Sequence, residues 1–165
     1  MVISDNVYIA QAKKTTGSGE NMGWFNVYGL IAVVVILIPN IVFVLKSKEE
    51  FQNKYRCKLA EVTEQIGRFG CFIFMIFNIP NTYFGLPYEN AFTVYVAVNC
   101  ALIAAYLIIW VICFKKSGVF RSLALSIIPS AMFLFSGIMI RSILLTIAAT
   151  LFAPSHILIS YKNAK

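Results

Sequence analysis

The sequence predicts an all-α integral membrane protein, a helical bundle of five transmembrane helices and one amphipathic interfacial helix. Hydrophobic residues make up 59% of the chain and charged residues 13%, whereas soluble domains are roughly half apolar and a quarter charged. The apolar residues fall in runs of about 18 to 24, close to the roughly 20 helical residues that cross a bilayer. We therefore expect one membrane domain over residues 23–165, preceded by a polar tail over residues 1–22.

The predicted helices follow these apolar runs and the charged stretch between the first two. The spans cover about 24–45, 67–86, 91–114, 119–140 and 142–160. Residues 48–66 are predicted to form the amphipathic helix, because Ser47 and Glu50 have the spacing of a capping box and apolar residues follow at steps of three and four. We favour a helix at the membrane surface. An extension of the second span and a helix packed on a partner are the alternatives.

The shortest predicted connection joins the last two spans. Only Arg141 and its neighbours separate them, so the chain must form a tight helical hairpin, with Ser136 and Gly137 as a candidate start of the turn. A re-entrant last segment, broken at Pro154, is the alternative.

The distribution of positive charge predicts the orientation. Most of the 14 Lys and Arg residues fall in the loops after the first and third spans and at the C-terminus, which alternation places on one side. The positive-inside rule then puts the N-terminus outside and the C-terminus inside the cytoplasmic membrane. The same rule accounts for the net charge of +7, so we expect a lipid bilayer as the surrounding medium and no nucleic acid as a partner.

Prolines interrupt four of the predicted spans, and each is followed by Asn or Ser. The pairs are Pro39-Asn40, Pro80-Asn81, Pro129-Ser130 and Pro154-Ser155. A proline inside a helix leaves the carbonyl one turn earlier without its N–H partner, and hydrocarbon supplies none. We favour kinked helices whose Asn and Ser side chains repair this loss. The alternative is a polar cavity between the kinked helices, with a candidate ligand-binding lining of Asn40, Asn78, Asn81 and Asn99.

Few other residues carry recognisable chemistry. His156 is the only histidine, and we expect an interfacial or packing role, because no carboxylate is near it in sequence and none falls inside a predicted span. Arg68 and Arg141 are candidates for lipid-headgroup binding at the two membrane surfaces. No hydrolase, zinc or phosphate-loop signature is present. The sequence therefore assigns no catalytic residue, and we expect neither a metal nor a cofactor.

Three segments resemble a family of small polytopic bacterial membrane proteins. They are EQIGRFGCFIFMIFNIPNTYFG, SIIPSAMFLFSG and FAPSHILISYKNA. The resemblance covers much of the chain after residue 22. It implies a bacterial cytoplasmic membrane and supplies neither an activity nor catalytic residues.

Two functional classes follow from these patterns. We favour a non-enzymatic membrane component that binds lipid, a membrane-protein partner or a second copy of itself. Its contact surfaces would be the amphipathic surface helix and the ridge of Ala97, Ala101 and Ala105. The spacing of four places these small side chains on one helix face and lets another helix approach closely. The alternative is a small transporter or membrane enzyme that uses the asparagine-lined cavity.

Overall fold

The computed structural model describes residues 23–46, 57–113 and 118–165, and within these ranges every regular element is a helix. The helices are α1 (Val27–Lys46), α2 (Lys58–Ile76), α3 (Ala91–Ile112), α4 (Val119–Met139) and α5 (Ile143–Ala164). The predicted all-helical class is therefore confirmed for the described part of the chain.

Three of these helices are long and apolar enough to cross a membrane. They are α3, α4 and α5, with 22, 21 and 22 residues and mean hydropathies of 2.3, 1.8 and 1.9. Helix α1 contributes a shorter apolar stretch, Val27–Phe43. The prediction of a membrane protein is confirmed at this level, because three helices of this length and composition match the thickness of a bilayer.

The helices pack in a closed ring. Helix α5 lies between α2 and α4, with the two most extensive contacts in the bundle. Helix α3 packs against α4 and α1, and α1 completes the ring by contacting α2. Large side chains fill the interior, among them Met75, Tyr95, Tyr106, Phe133 and Phe152.

Helix α2 differs from the prediction at both ends. It continues without a break across residues 66 and 67, where an amphipathic helix was expected to meet a span, and it ends at Ile76 rather than near residue 86. The early end has a local cause, because Pro80 has no N–H and its ring clashes with the carbonyl of Ile76 in a helix. The capping box at Ser47 and Glu50 and the first part of the predicted amphipathic helix lie outside the described residues.

The turn between α4 and α5 is as tight as expected. Arg141 adopts a left-handed backbone conformation with φ 54°, and the amide of Ser142 donates to the carbonyl of Gly137 over 2.9 Å. The Ser142 hydroxyl then accepts from the amide of Leu145 over 3.3 Å and caps α5. Helix α5 runs through Pro154 to Ala164 without interruption, so the break expected of a re-entrant segment is absent from it.

An irregular segment, residues 77–90, joins the ends of three helices. Its first residues pair with the chain before α1, because the amide of Asn26 donates to the carbonyl of Ile76 over 2.7 Å and the amide of Asn78 donates to Trp24 over 2.8 Å. Further along, the carbonyl of Thr82 accepts from the amide at the start of α5 over 2.9 Å. The starts of α1 and α5 and the end of α2 therefore lie at the same end of the bundle.

Candidate functional site

Two of the four candidate asparagines lie near opposite ends of α1. The Asn40 side chain is exposed; it donates to the carbonyl of Ile36 over 3.1 Å and accepts from the Tyr106 hydroxyl over 3.1 Å. Asn78 is buried, and its amide donates to the carbonyl of Gly23 over 2.8 Å. The bond between Tyr106 and Asn40 links α3 to α1 near the end of α1. The bond from Asn78 to Gly23 links the segment after α2 to the chain before α1.

The third asparagine, Asn99, belongs to a buried network inside the bundle. Its side-chain oxygen accepts from the Ser136 hydroxyl over 3.0 Å, and its amide donates to the carbonyl of Tyr95 over 2.8 Å. The Tyr95 hydroxyl in turn accepts from Asn26 over 3.2 Å. Asn26 and Tyr95 were not singled out in the sequence, and Ser136 only as a candidate start of a turn, since no local pattern indicates contacts between α4, α3 and the start of α1.

The fourth asparagine, Asn81, lies in an exposed turn with φ 65°, a left-handed conformation that Asn tolerates better than most residues. The four asparagines thus occupy separate places with separate partners. Their role as a ligand-binding set stays a prediction, and the bonds they make are those of packing and turn formation.

The residue after each helical proline bonds back along its own helix. Asn40 bonds the carbonyl of Ile36 over 3.1 Å, Ser130 that of Ser126 over 2.7 Å, and Ser155 that of Leu151 over 3.1 Å. These carbonyls lie one residue beyond those that lose their N–H partner to the proline. The Ile76 carbonyl, which faces Pro80, is satisfied by the amide of Asn26 instead. The expected repair by the residue after the proline is therefore not seen at the three carbonyls inside helices that lose their N–H partner, and side-chain bonds back to the i−4 carbonyl tend to bend a helix.

The most unusual feature of the interior is a buried carboxylate between α2 and α5. Glu64 is 4% exposed. One of its oxygens, Oε1, accepts from the guanidinium of Arg68 one turn along α2 and lies 3.0 Å from Nδ1 of His156 on α5. Because a carboxylate only accepts hydrogen bonds, Nδ1 carries the hydrogen in this contact. We call Glu64, Arg68 and His156 the ion cluster.

His156 is held from its other side by an aromatic ring. Its imidazole stacks on Phe152, one turn earlier on α5, with ring centroids 4.6 Å apart and an interplanar angle of 19°. No carboxylate is near His156 in the sequence, but Glu64 approaches it from another helix. Glu64 was expected on a surface helix, whereas it lies on the buried face of a continuous α2. The packing role expected for His156 stays a prediction, with which this geometry agrees.

Two glycines let α2 and α5 approach beside the ion cluster. A methyl group added at Gly67 would lie 2.7 Å from the backbone nitrogen of Phe152, and one added at Gly70 would lie 2.9 Å from the Cβ of Ala148. Real side-chain atoms do not tolerate such distances. The absence of side chains at these two positions is what brings Glu64 within hydrogen-bond distance of α5.

The two arginines proposed for lipid headgroups have different surroundings. The Arg68 guanidinium forms an ion pair with Glu64 within the ion cluster. Arg141 is exposed, and its guanidinium carbon lies 5.8 Å from the centre of the Phe84 ring. Their lipid-binding roles stay predictions, but only Arg141 has its charge directed away from an acidic side chain.

Helix α3 has two distinct faces. Its inner face is buried and carries Tyr95, Asn99, Tyr106 and Trp110. Its outer face is exposed at Ala97, Cys100, Ala101 and Ala104, and Ala105 is half-buried at the edge. We call the exposed set, Ala97, Cys100, Ala101 and Ala104, the alanine face.

No family model, curated protein or solved structure matches this chain. Within the described residues the fold is all-helical, with three helices long and apolar enough to cross a membrane.

Proposed function

We propose that this protein is a five-span component of the cytoplasmic membrane, with its N-terminus outside, that binds another transmembrane helix through the alanine face. The direction of the helices supports five spans. Gly29 near the start of α1 meets Met75 near the end of α2, and Ser122 near the start of α4 bonds Ser160 near the end of α5. The starts of α1 and α3 meet at Tyr28 and Phe92, and the end of α3 meets the start of α4 at Trp110 and Arg121. Successive helices thus run in opposite directions.

The surface of α2 supports its placement in the membrane. Five of its exposed side chains form an apolar stripe, Leu59, Val62, Ile66, Phe69 and Ile73; the polar exposed residues are Lys58 at its first turn and Gln65. Its buried face carries Glu64, Gly67, Cys71 and Met75. A soluble helix has the opposite arrangement, whereas in lipid the apolar side faces outward and charges face the bundle. Nineteen residues also give about 28 Å of helix.

The observation that carries the binding function is a contrast between exposed faces. Where α2 turns branched and aromatic side chains outward, α3 turns alanines outward over its central turns. Small residues at a helix surface let another backbone approach closely, and close packing drives helix association in membranes. Three of the asparagines support the same view, because the side chains of Asn40, Asn78 and Asn99 make hydrogen bonds within the protein.

Cys100 provides a direct test, because this exposed thiol lies on the alanine face while Cys71 is 0% exposed. With Cys57 and Cys113 changed to Ser, a thiol-specific crosslinker applied to native membranes should give a discrete adduct through Cys100. The Cys100→Ser variant should give none. The mass of the adduct distinguishes a second copy of the chain from a different membrane protein.

A matched pair of substitutions tests the contact itself. Ala101→Leu should reduce the adduct severalfold, because it adds bulk where helices would meet. Ala131→Leu should leave it unchanged, since Ala131 is exposed on α4 outside the alanine face. Equal adduct in both variants, or no Cys100-dependent adduct in the parent, would contradict the proposal.

The buried carboxylate favours a second candidate function, ion-coupled transport, because charged side chains inside membrane bundles often lie on ion or proton pathways. This candidate predicts a proton or cation flux in sealed vesicles that contain the purified protein. Glu64→Gln should abolish the flux. Glu89→Gln, in the exposed turn before α3, should leave it unchanged. Equal flux in empty and protein-containing vesicles would rule it out.

A further inference from the structure

A shallow cleft opens on the bundle surface beside the turn between α4 and α5. Its volume is about 310 Å³. The apolar part of its lining comes from Phe84, Ile138, Ile143 and Ile147. These side chains are 58%, 62%, 48% and 54% exposed, so the bundle itself does not fill the cleft.

A cationic side chain, Arg141, is part of the lining of this largely apolar cleft. Its guanidinium lies over the face of Phe84 at 5.8 Å. Throughout the described ranges no acidic side chain forms an ion pair with Arg141. The left-handed turn at this residue and the hydrogen bond from Ser142 to Gly137 fix the backbone from which the side chain projects.

We propose that this cleft binds one anionic phospholipid, with the phosphate on Arg141 and the upper part of one acyl chain along Ile138 and Ile147. Charge complementarity selects the occupant. A guanidinium presents up to five N–H donors and pairs well with phosphate, while the isoleucines offer a surface suited only to hydrocarbon. Arg141 lies in the turn after α4, at the end of a helix able to cross the membrane, which is where a headgroup phosphate would lie.

The position of Arg141 beside an apolar cleft distinguishes it from the other two arginines in the described ranges, Arg68 and Arg121. Arg68 is neutralised by Glu64. Arg121 packs against the rings of Phe43 and Trp110, with its guanidinium carbon 4.7 and 5.4 Å from their centres. The lipid site is independent of the alanine face, because the two surfaces belong to different helices.

The test uses the full chain in detergent, with added dioleoyl phosphatidylglycerol, dioleoyl phosphatidylcholine or inorganic phosphate, and reads bound lipid by native mass spectrometry. We expect retention of one phosphatidylglycerol. Arg141→Asn should weaken this retention about fivefold, the effect of removing one cationic side chain near anionic lipid. Asn is chosen because it tolerates the left-handed conformation at this position. Lys58→Asn, an exposed cation at the opposite end of the bundle, should leave it unchanged.

A second variant addresses the acyl chain without removing charge. Ile147→Trp should fill the cleft and reduce retention of phosphatidylglycerol, while Ile127→Trp, exposed elsewhere on α4, should not. Equal lipid retention by Arg141→Asn, Ile147→Trp and the parent would overturn the proposal. Phosphatidylcholine bound as tightly as phosphatidylglycerol would also overturn the proposal, because the site would not select an anionic lipid. Displacement of phosphatidylglycerol by an equal concentration of inorganic phosphate would overturn it too, because the acyl chain would then contribute nothing.

Discussion

Nδ1 of His156 lies 3.0 Å from Oε1 of Glu64, and this contact joins the last helix of the bundle to the second across 92 residues of sequence. The same carboxylate oxygen accepts from Arg68. A carboxylate that is 4% exposed needs such partners, because a charge left alone in a low-dielectric interior carries a large desolvation penalty. The ion cluster should therefore control the stability of the α2–α5 contact.

Removing one partner of the ion cluster should be costly. Glu64→Ala leaves the Arg68 guanidinium and the His156 imidazole without their acceptor. It should destabilise the protein by about 1 to 3 kcal/mol, the penalty for unsatisfied partners, and less than a fully buried pair would lose, because Arg68 is partly exposed. Thermal unfolding in detergent measures the change. Glu89→Ala, in the exposed turn before α3, serves as the control and should change the free energy of unfolding by less than about 0.5 kcal/mol.

A double variant separates coupling from simple loss of packing. Glu64→Ala with Arg68→Ala should cost clearly less than the sum of the two single substitutions, because the second change removes the charge that the first left unpaired. Strict additivity would show that the two side chains do not interact in the folded protein.

The role of one imidazole nitrogen is testable with a pair of amide substitutions at position 156. The amide nitrogen of Asn occupies roughly the place of Nδ1, whereas that of Gln corresponds more closely to Nε2. Because Nδ1 contacts Glu64, His156→Asn should retain more of the parent melting temperature than His156→Gln. Intrinsic helix propensity favours Gln over Asn by a few tenths of a kcal/mol. A higher melting temperature for His156→Asn would therefore not arise from helix propensity. The reverse order would place the contact on the other nitrogen.

Close approach of α2 and α5 makes a separate prediction. Gly67→Leu should prevent the helices from packing, because even a methyl group would lie 2.7 Å from the backbone nitrogen of Phe152. We expect loss of the monodisperse folded species in size-exclusion chromatography. Gly118→Ala is the control, since a methyl group there meets nothing within 4 Å. A folded and monodisperse Gly67→Leu protein would show that this interface is not closely packed.

The buried Asn99 should contribute to stability rather than merely tolerate its surroundings. Asn99→Leu removes the bond from Ser136 between helices and the bond to the carbonyl of Tyr95 within α3. It should cost about 0.6 to 1.7 kcal/mol, the average and the largest values measured for hydrogen bonds between membrane helices. Asn90→Leu is the matched control, because Asn90 is exposed and makes no side-chain cap. Unchanged unfolding of Asn99→Leu would instead favour the cavity interpretation of the asparagines.

The sequence predicts the helices of this bundle better than it predicts their contacts. The apolar runs that became α3, α4 and α5 end within a few residues of the observed helices, because run length and composition are local properties. The tight turn at Arg141 was equally local, since too few residues separate the two runs for any longer connection.

Helix α2 shows what local patterns miss. Its stripe from Leu59 to Ile73 continues through Gly67 and Gly70 without a change of phase, and this continuity was the available signal for a single helix. Charged residues in the first half suggested a surface location instead. The partner that makes Glu64 tolerable, His156, lies on another helix, so no local pattern could reveal the ion cluster.

In the proposed topology α2 crosses the membrane with its ion cluster inside the bundle. Nitroxide labels placed singly at Leu59, Val62, Ile66, Phe69 and Ile73, in protein reconstituted into vesicles, measure this directly through their relative collision rates with oxygen and with a water-soluble nickel chelate. We predict that the ratio favours oxygen most strongly at Ile66 and Phe69 and falls toward both Leu59 and Ile73, as the middle of a span requires. A uniform ratio along the stripe, or strong access of the nickel chelate at Ile66, would contradict the account, because α2 would then lie along the surface or outside the bilayer.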